Sequence, residues 1–153
     1  MRRSQFIKSV FLFSSILFIK PSTILAGVNF VRIGKKAPDF LLNGFNKNKP
    51  NQNKWSLNDF SDKWLILYFY PKDFSSGCTI EAKAFQDNLS KFKKLNSTIV
   101  GISADNQEEH ESFCTSAKLG YTLLSDTTGE TSKSYDSWLD PYSKRNTFLI
   151  NPK

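Results

Sequence analysis

Residues 64–70 read WLILYFY, seven consecutive apolar or aromatic side chains. A strand sends successive side chains to opposite faces, so a run without polar alternation must be covered on both sides. That excludes a sheet with one wet face and asks for a layer of helix on either side. The residues that follow supply such layers. Ala82, Phe85, Leu89, Phe92 and Leu95 recur at intervals of three or four, which predicts an amphipathic helix over 79–95. STIVGIS (97–103) predicts a second strand, and NQEEHESFCTSAKLG (106–120) a second helix with acids in its first turn and a Lys-Leu-Gly exit. Phe113 and Leu119 face the core in that reading. YTLLSD (121–126), a short helix around 129–135 and NTFLI (146–150) complete the series. Strands alternating with helices require crossover connections, so the fold class is α/β with a largely parallel or mixed central sheet flanked by helices. GVNFVRIGKKAPDFLLNGF (27–45) predicts small edge strands, and NKNKPNQNK (46–54) a solvated loop.

The first 26 residues have a different character. MRRSQFIK carries three positive charges, an eleven-residue apolar run follows at 9–19, and KPSTILAG ends in small residues. This is the layout of a secretory signal peptide, with cleavage expected after Ala26 and a single domain over 27–153. The apolar run is too short for a bilayer core of ~30 Å, which takes about 20 residues. Membrane contact is therefore expected only through the signal peptide, and the mature protein is expected outside the cytoplasm, in a periplasm, a thylakoid lumen or the exterior, where disulfides persist. Cleavage removes Arg2, Arg3, Lys8 and Lys20 and no acid, which takes the net charge from +7 to +3. No basic stripe with interleaved aromatics remains, so nucleic acid is not an expected partner.

Only two cysteines occur. Cys78 stands in PKDFSSGCTIEA, where a polar loop becomes a helix. Ser75 or Ser76 can cap that helix, Gly77 lets backbone approach closely, and Cys78 falls in the first turn. Unpaired N–H groups and the helix dipole favour an anion there, and the thiolate is the reactive form of cysteine. Lys72 adds a nearby positive charge in the sequence. A cysteine hydrolase would need a base, and the single histidine, His110, reads as a solvated position on the acidic first turn of its helix. Residue 81 is Glu81, so no Cys-x-x-Cys is present, and two distant cysteines with one histidine do not make a metal site. No metal or other cofactor is expected. Attack of a thiolate on the O–O bond of a peroxide needs no protein base, only a donor to polarise the target, and leaves a sulfenic acid.

PKDFSSGC (71–78) resembles the Pro-x-x-x-Thr/Ser-x-x-Cys motif of peroxiredoxins, and FYPKDFSSGCTIEAKAF is similar to their Q-type group, the bacterioferritin-comigratory proteins. TLLSD (122–126) and RNTFLI (145–150) match later family segments in order and spacing, so the resemblance runs over residues 34–150. It implies a thioredoxin-like fold and a thiol-dependent peroxidase acting on hydrogen peroxide and organic hydroperoxides, with thioredoxin or another thiol as reductant, and a monomer is expected. It also implies roles. Cys78 is the peroxidatic nucleophile, the Ser75 hydroxyl holds the peroxide oxygens, Pro71 shields the pocket from water, and Arg145 stabilises the thiolate and the leaving oxygen. Arg145 has separate support: only Arg32 and Arg145 remain among fifteen lysines after signal cleavage. Guanidinium offers fixed donors and keeps its proton.

Three positions depart from the family pattern. Ser76 replaces a common Pro, which loosens the loop. Lys83 stands where many relatives carry the resolving cysteine, so no local disulfide with Cys78 can form. The sequence reads to Asn151-Pro152-Lys153, and the family's last strand and helix are expected to be missing from it. Cys114 is then the candidate resolving cysteine, since some peroxiredoxins place it in this helix. A buried inert thiol and a permanent structural disulfide are the other readings. Two functions from other classes stand beside the peroxidase: a non-catalytic thioredoxin-fold domain and a thiol–disulfide exchange protein acting through Cys78.

Overall fold

The computed structural model describes residues 31–152, so the signal-peptide segment 1–26 and the first residues after it lie outside the described residues. Twelve elements follow in chain order: β1 (Leu41–Phe45), β2 (Lys54–Ser56), β3 (Trp64–Phe69), α1 (Ser76–Asp87), α2 (Leu89–Lys94), β4 (Ser97–Ser103), α3 (Gln107–Ser116), β5 (Thr122–Ser125), α4 (Glu130–Ser134), β6 (Trp138–Leu139), β7 (Tyr142–Ser143) and β8 (Asn146–Ile150). A 3-10 turn at Leu57–Phe60 precedes β3. Six strands form one mixed sheet in the order β2-β1-β5-β4-β3-β8. β3, β4 and β5 run parallel, whereas β8 pairs antiparallel with β3 and β1 antiparallel with β5. β6 and β7 make a separate small hairpin.

The apolar run forms β3 and the residue after it, and from Leu65 to Tyr70 it is buried on both faces, while Trp64 at its start is exposed. Leu65, Leu67 and Phe69 pack with Phe40, Trp55, Phe60, Val100, Ile102, Leu124 and Tyr135. Ile66, Tyr68 and Tyr70 face the other way, into a second core with Ala82, Leu89, Ile99, Phe113, Leu119 and both cysteines. The second core lies under α1, α2 and α3. Among the described residues no helix is long and apolar enough to cross a membrane.

The helix expected over 79–95 is two helices. It begins earlier, at Ser76, and breaks at Asn88, whose φ is −99° and ψ 3°. The Asn88 side chain donates to the Ala84 carbonyl at 2.9 Å, an alternative to the helical ladder that asparagine commonly offers. Leu95, assigned to the buried face, is exposed beyond the end of α2. Segment 46–54 is a turn that closes into β2, where Trp55 is fully buried. The predicted strands at 97–103, 121–126 and 146–150 match β4, β5 and β8 within a residue or two.

Between β3 and β5 the centre of β4 is Gly101, opposite Tyr68 on one side and Leu123 on the other. A Cβ at Gly101 would lie 2.7 Å from Tyr68 Cζ and 2.7 Å from Leu123 Cδ2. The missing side chain lets the Tyr68 ring lie across the sheet, where its hydroxyl meets that of Tyr121 at 3.0 Å. Tyr121 in turn donates to the Ala82 carbonyl at 3.1 Å, and the Gly120 N–H donates to Gln86 Oε1 at 2.6 Å. These contacts fasten the later turns of α1 to the start of β5. Gly101→Ala is expected to destabilise the domain by about 1–3 kcal/mol through overpacking, read as a lower urea midpoint with an unchanged m-value.

Candidate active site

β3 ends at Phe69, the Tyr70 N–H still bonds to the Ile102 carbonyl at 3.0 Å, and the chain then turns through Pro71–Ser75 into α1. Phe74 adopts the left-handed region with φ 59°, unusual for a residue with a bulky side chain. Ser75 is the N-cap residue in extended conformation, but its side chain does not cap. Its hydroxyl donates back to the Lys72 carbonyl at 3.0 Å. Its carbonyl accepts from Thr79 N at 2.9 Å and from Thr79 Oγ1 at 2.8 Å.

Cys78 is the third residue of α1 and is 1% exposed. Its Sγ accepts from Arg145 Nη2 at 3.0 Å, while Nη1 of the same guanidinium donates to Glu81 Oε2 at 2.6 Å. Glu81 is one helical turn beyond Cys78, so sulfur and carboxylate stand on one side of α1 and share one cation. Gly77 makes room for that arrangement, since a Cβ there would lie 3.1 Å from Arg145 Nη2. Lys72 is exposed, and the charge delivered to the sulfur is that of Arg145. Such a site sets a preorganised cationic donor beside the sulfur.

The sequence-predicted residues are thus partly gathered. Cys78 and Arg145 are in contact, Ser75 is at the N-cap and Pro71 is half-buried at the entry of the loop. Cys114 lies fully buried on α3 in the same core cluster as Cys78, and both thiols are free. Burial, reinforced by the charge of Asp73, pushes the Cys114 thiol from an ordinary value near 9 to about 12. Lys83 is exposed on α1.

His110 is a correction: it is fully buried, not solvated. Its Nδ1 lies 2.7 Å from Asp73 Oδ2, and Asp73 Oδ1 accepts from the Tyr70 hydroxyl at 2.7 Å. The three acids Glu108, Glu109 and Glu111 around it are exposed and make the segment look wet. The signal that could have placed it is the stripe His110, Phe113, Cys114, Ala117, spaced as one helix face. Glu81 was also missed as a partner for Arg145. Nδ1 lies against Asp73 and Nε2 is buried without a hydrogen-bond partner, so the histidine makes no hydrogen bond to Cys78 through which it could act as its base, and among the described residues no group of three or more metal-ligating side chains occurs.

Residues 33–153 match the AhpC/TSA family model. The chain is 38% identical over 129 residues to Peroxiredoxin Bcp of Bacillus subtilis, covering 79% of each chain. It is 41% identical over 125 residues to chloroplastic Peroxiredoxin Q of Arabidopsis thaliana, covering 80% of this chain and 56% of that one. Among solved structures, the reduced 2-Cys peroxiredoxin of Plasmodium vivax superposes with a TM-score of 0.72 at 32% identity, covering 79% of both chains.

The raised Cys114 value fixes the sign of an alkaline effect. The folded state keeps the thiol proton between about 9 and about 12, where the unfolded chain has lost it. The stabilisation is full below the lower value and is lost as pH rises through the upper one. From pH 8 to pH 11 the urea midpoint of wild type should fall more steeply than that of Cys114→Ala. In the native reduced protein at pH 8, iodoacetamide should leave Cys114 unmodified.

Proposed function

The chain belongs to the AhpC/TSA family and is a peroxiredoxin, and we propose that Cys78 is the nucleophile with which it reduces hydrogen peroxide and organic hydroperoxides. The Cys78 thiolate attacks one peroxide oxygen and the O–O bond breaks. The electron pair leaves on the second oxygen, which takes a proton and departs as water or an alcohol, while sulfur becomes a sulfenic acid. Sulfur is oxidised by two electrons and the peroxide is reduced by two. The observation that carries this reading is the 3.0 Å contact from Arg145 Nη2 to Cys78 Sγ. A guanidinium in that position favours the thiolate and offers donors to the charge that develops on the leaving oxygen. Ser75 is the hydroxyl that holds the peroxide, turning from the Lys72 carbonyl to do so, and Pro71 limits access of water to the sulfur.

In the second step Cys114 attacks the sulfenic sulfur, an S–S bond forms and water leaves. Thioredoxin or another thiol reductant then reduces the disulfide. Cys114 is wholly buried, so this step follows opening of the first turns of α1. The same reading takes residues 1–26 as a cleaved signal peptide. It places a monomeric domain outside the cytoplasm, in antioxidant defence, and rests there on the sequence pattern alone.

One equivalent of hydrogen peroxide added to the reduced chain from Gly27, followed by rapid quenching and peptide mass mapping, tests both steps. The expected result is loss of two hydrogens with a Cys78–Cys114 link, absent from Cys78→Ser. A dimedone adduct confined to Cys78 would assign a one-cysteine cycle reduced by an external thiol. A folded chain that fails to react would refute Cys78 as the nucleophile. Arg145→Met should slow sulfenic acid formation by about 10²–10³-fold, the scale seen when one transition-state donor is removed.

A further inference from the structure

Behind the cysteine loop lies a buried polar cluster that the peroxide chemistry does not use. Asp73, 4% exposed, is two residues before Ser75. Its carboxylate accepts from the Tyr70 hydroxyl and lies 2.7 Å from His110 Nδ1. An oxygen of an ionised carboxylate only accepts, so the ring donates through Nδ1. The Asp73 N–H donates to Asp105 Oδ2 at 2.8 Å, and Ser103 Oγ donates to the same oxygen at 2.6 Å. Asp73 is thus tied to the end of β3, to the turn after β4 and to α3. The next residue, Phe74, is the one in the left-handed region, a conformation that persists in a bulky residue only where its surroundings impose it. Phe74 also meets the Phe113 ring edge-on, at 5.1 Å between centroids. His110 Nε2 is buried without a hydrogen-bond partner. A polar ring placed there with one nitrogen unsatisfied is poor core filling, and its one short bond is to the loop.

We propose that His110 and Asp73 are positioning residues for the peroxide reaction: their buried contact fixes the Pro71–Ser75 loop in the conformation that presents Ser75 and Pro71 to a peroxide at Cys78. The inference rests on the proposed roles of those three residues. It assigns His110 no proton transfer and no contact with substrate. The contact acts on the geometry of the peroxide pocket, leaving the Arg145–Cys78 contact in place. Its loss should therefore be felt by peroxide and hardly by an electrophile that needs only the thiolate.

The test compares, in the reduced protein at one pH, the rate of Cys78 oxidation by hydrogen peroxide with its rate of alkylation by iodoacetamide. His110→Leu, which keeps volume and removes the donor, should lower the peroxide rate at least tenfold and change alkylation less than about twofold. His110→Asn returns a donor near the Nδ1 position and should recover most of the peroxide rate. If His110→Leu does not fold, Asp73→Asn, which weakens the same contact from the loop side, must show the same selective loss. An unchanged ratio of the two rates in a folded variant, or rates that fall together, would overturn the inference. A wild-type Cys78 that reacts with peroxide no faster than free cysteine does would instead fell the reading of Cys78, and the inference with it.

Discussion

The antiparallel pairing of β8 with β3 is the interaction on which the site depends. Phe69 opposes Asn146 at the end of that ladder, which leaves Arg145 just beyond it, beside the point where the chain departs towards α1. The two halves of the Cys78–Arg145 contact are 67 residues apart in the chain and are brought together by register alone. A slip of two residues would preserve the inward-facing set of side chains and carry the guanidinium about 7 Å along the strand, out of reach of the sulfur. Packing opposes such a slip, because Phe148 of β8 meets Phe69 of the apolar run and Tyr135 edge-on, with ring centroids 5.8 and 5.3 Å apart. The apolar run therefore does two things: it builds the centre of the sheet and it sets the aim of a charged group at the edge.

The guanidinium itself is divided between a carboxylate and a sulfur. Glu81 takes Nη1 and leaves Nη2 for the sulfur. The carboxylate adds negative charge near the sulfur, which would oppose a thiolate there. It also removes the rotational freedom of a long side chain before any substrate arrives, which favours a donor already in position. A lysine could neutralise the same charge but could not bridge both partners with a planar fork.

How much of this could be read from the residues follows from the range of each interaction. β3 was legible because a run without polar alternation has one structural solution, and the place of Cys78 in the first turn of α1 was legible because loop, glycine and helix start are adjacent in the chain. Arg145 stood out by scarcity among lysines, although nothing local says that it reaches Cys78. The break at Asn88 was missed because the apolar spacing continues through it, while the side-chain bond that interrupts the helix competes over only four residues. His110 was misread for a related reason. Its neighbours in sequence are exposed acids, whereas its partners Asp73 and Tyr70 come from a different strand-loop junction. Buried polar networks are assembled by topology, and local composition can point the wrong way about them.

The hydroxyl chain from Tyr68 through Tyr121 to the Ala82 carbonyl divides α1 unequally. Beyond Ala82 the helix is stitched to the start of β5, with Gln86 adding a second thread at Gly120. Before it, the ties are the Arg145 fork and the local bonds around Ser75. Local opening therefore has a stop: the helix can unzip from Ser76 to about Ala82 while its remainder stays docked as part of the core. In mechanical terms the first two turns, roughly, are a hinged flap whose travel is limited by a pair of tyrosines, and the stroke of that flap bounds how far the sulfur of Cys78 can swing without loosening the fold.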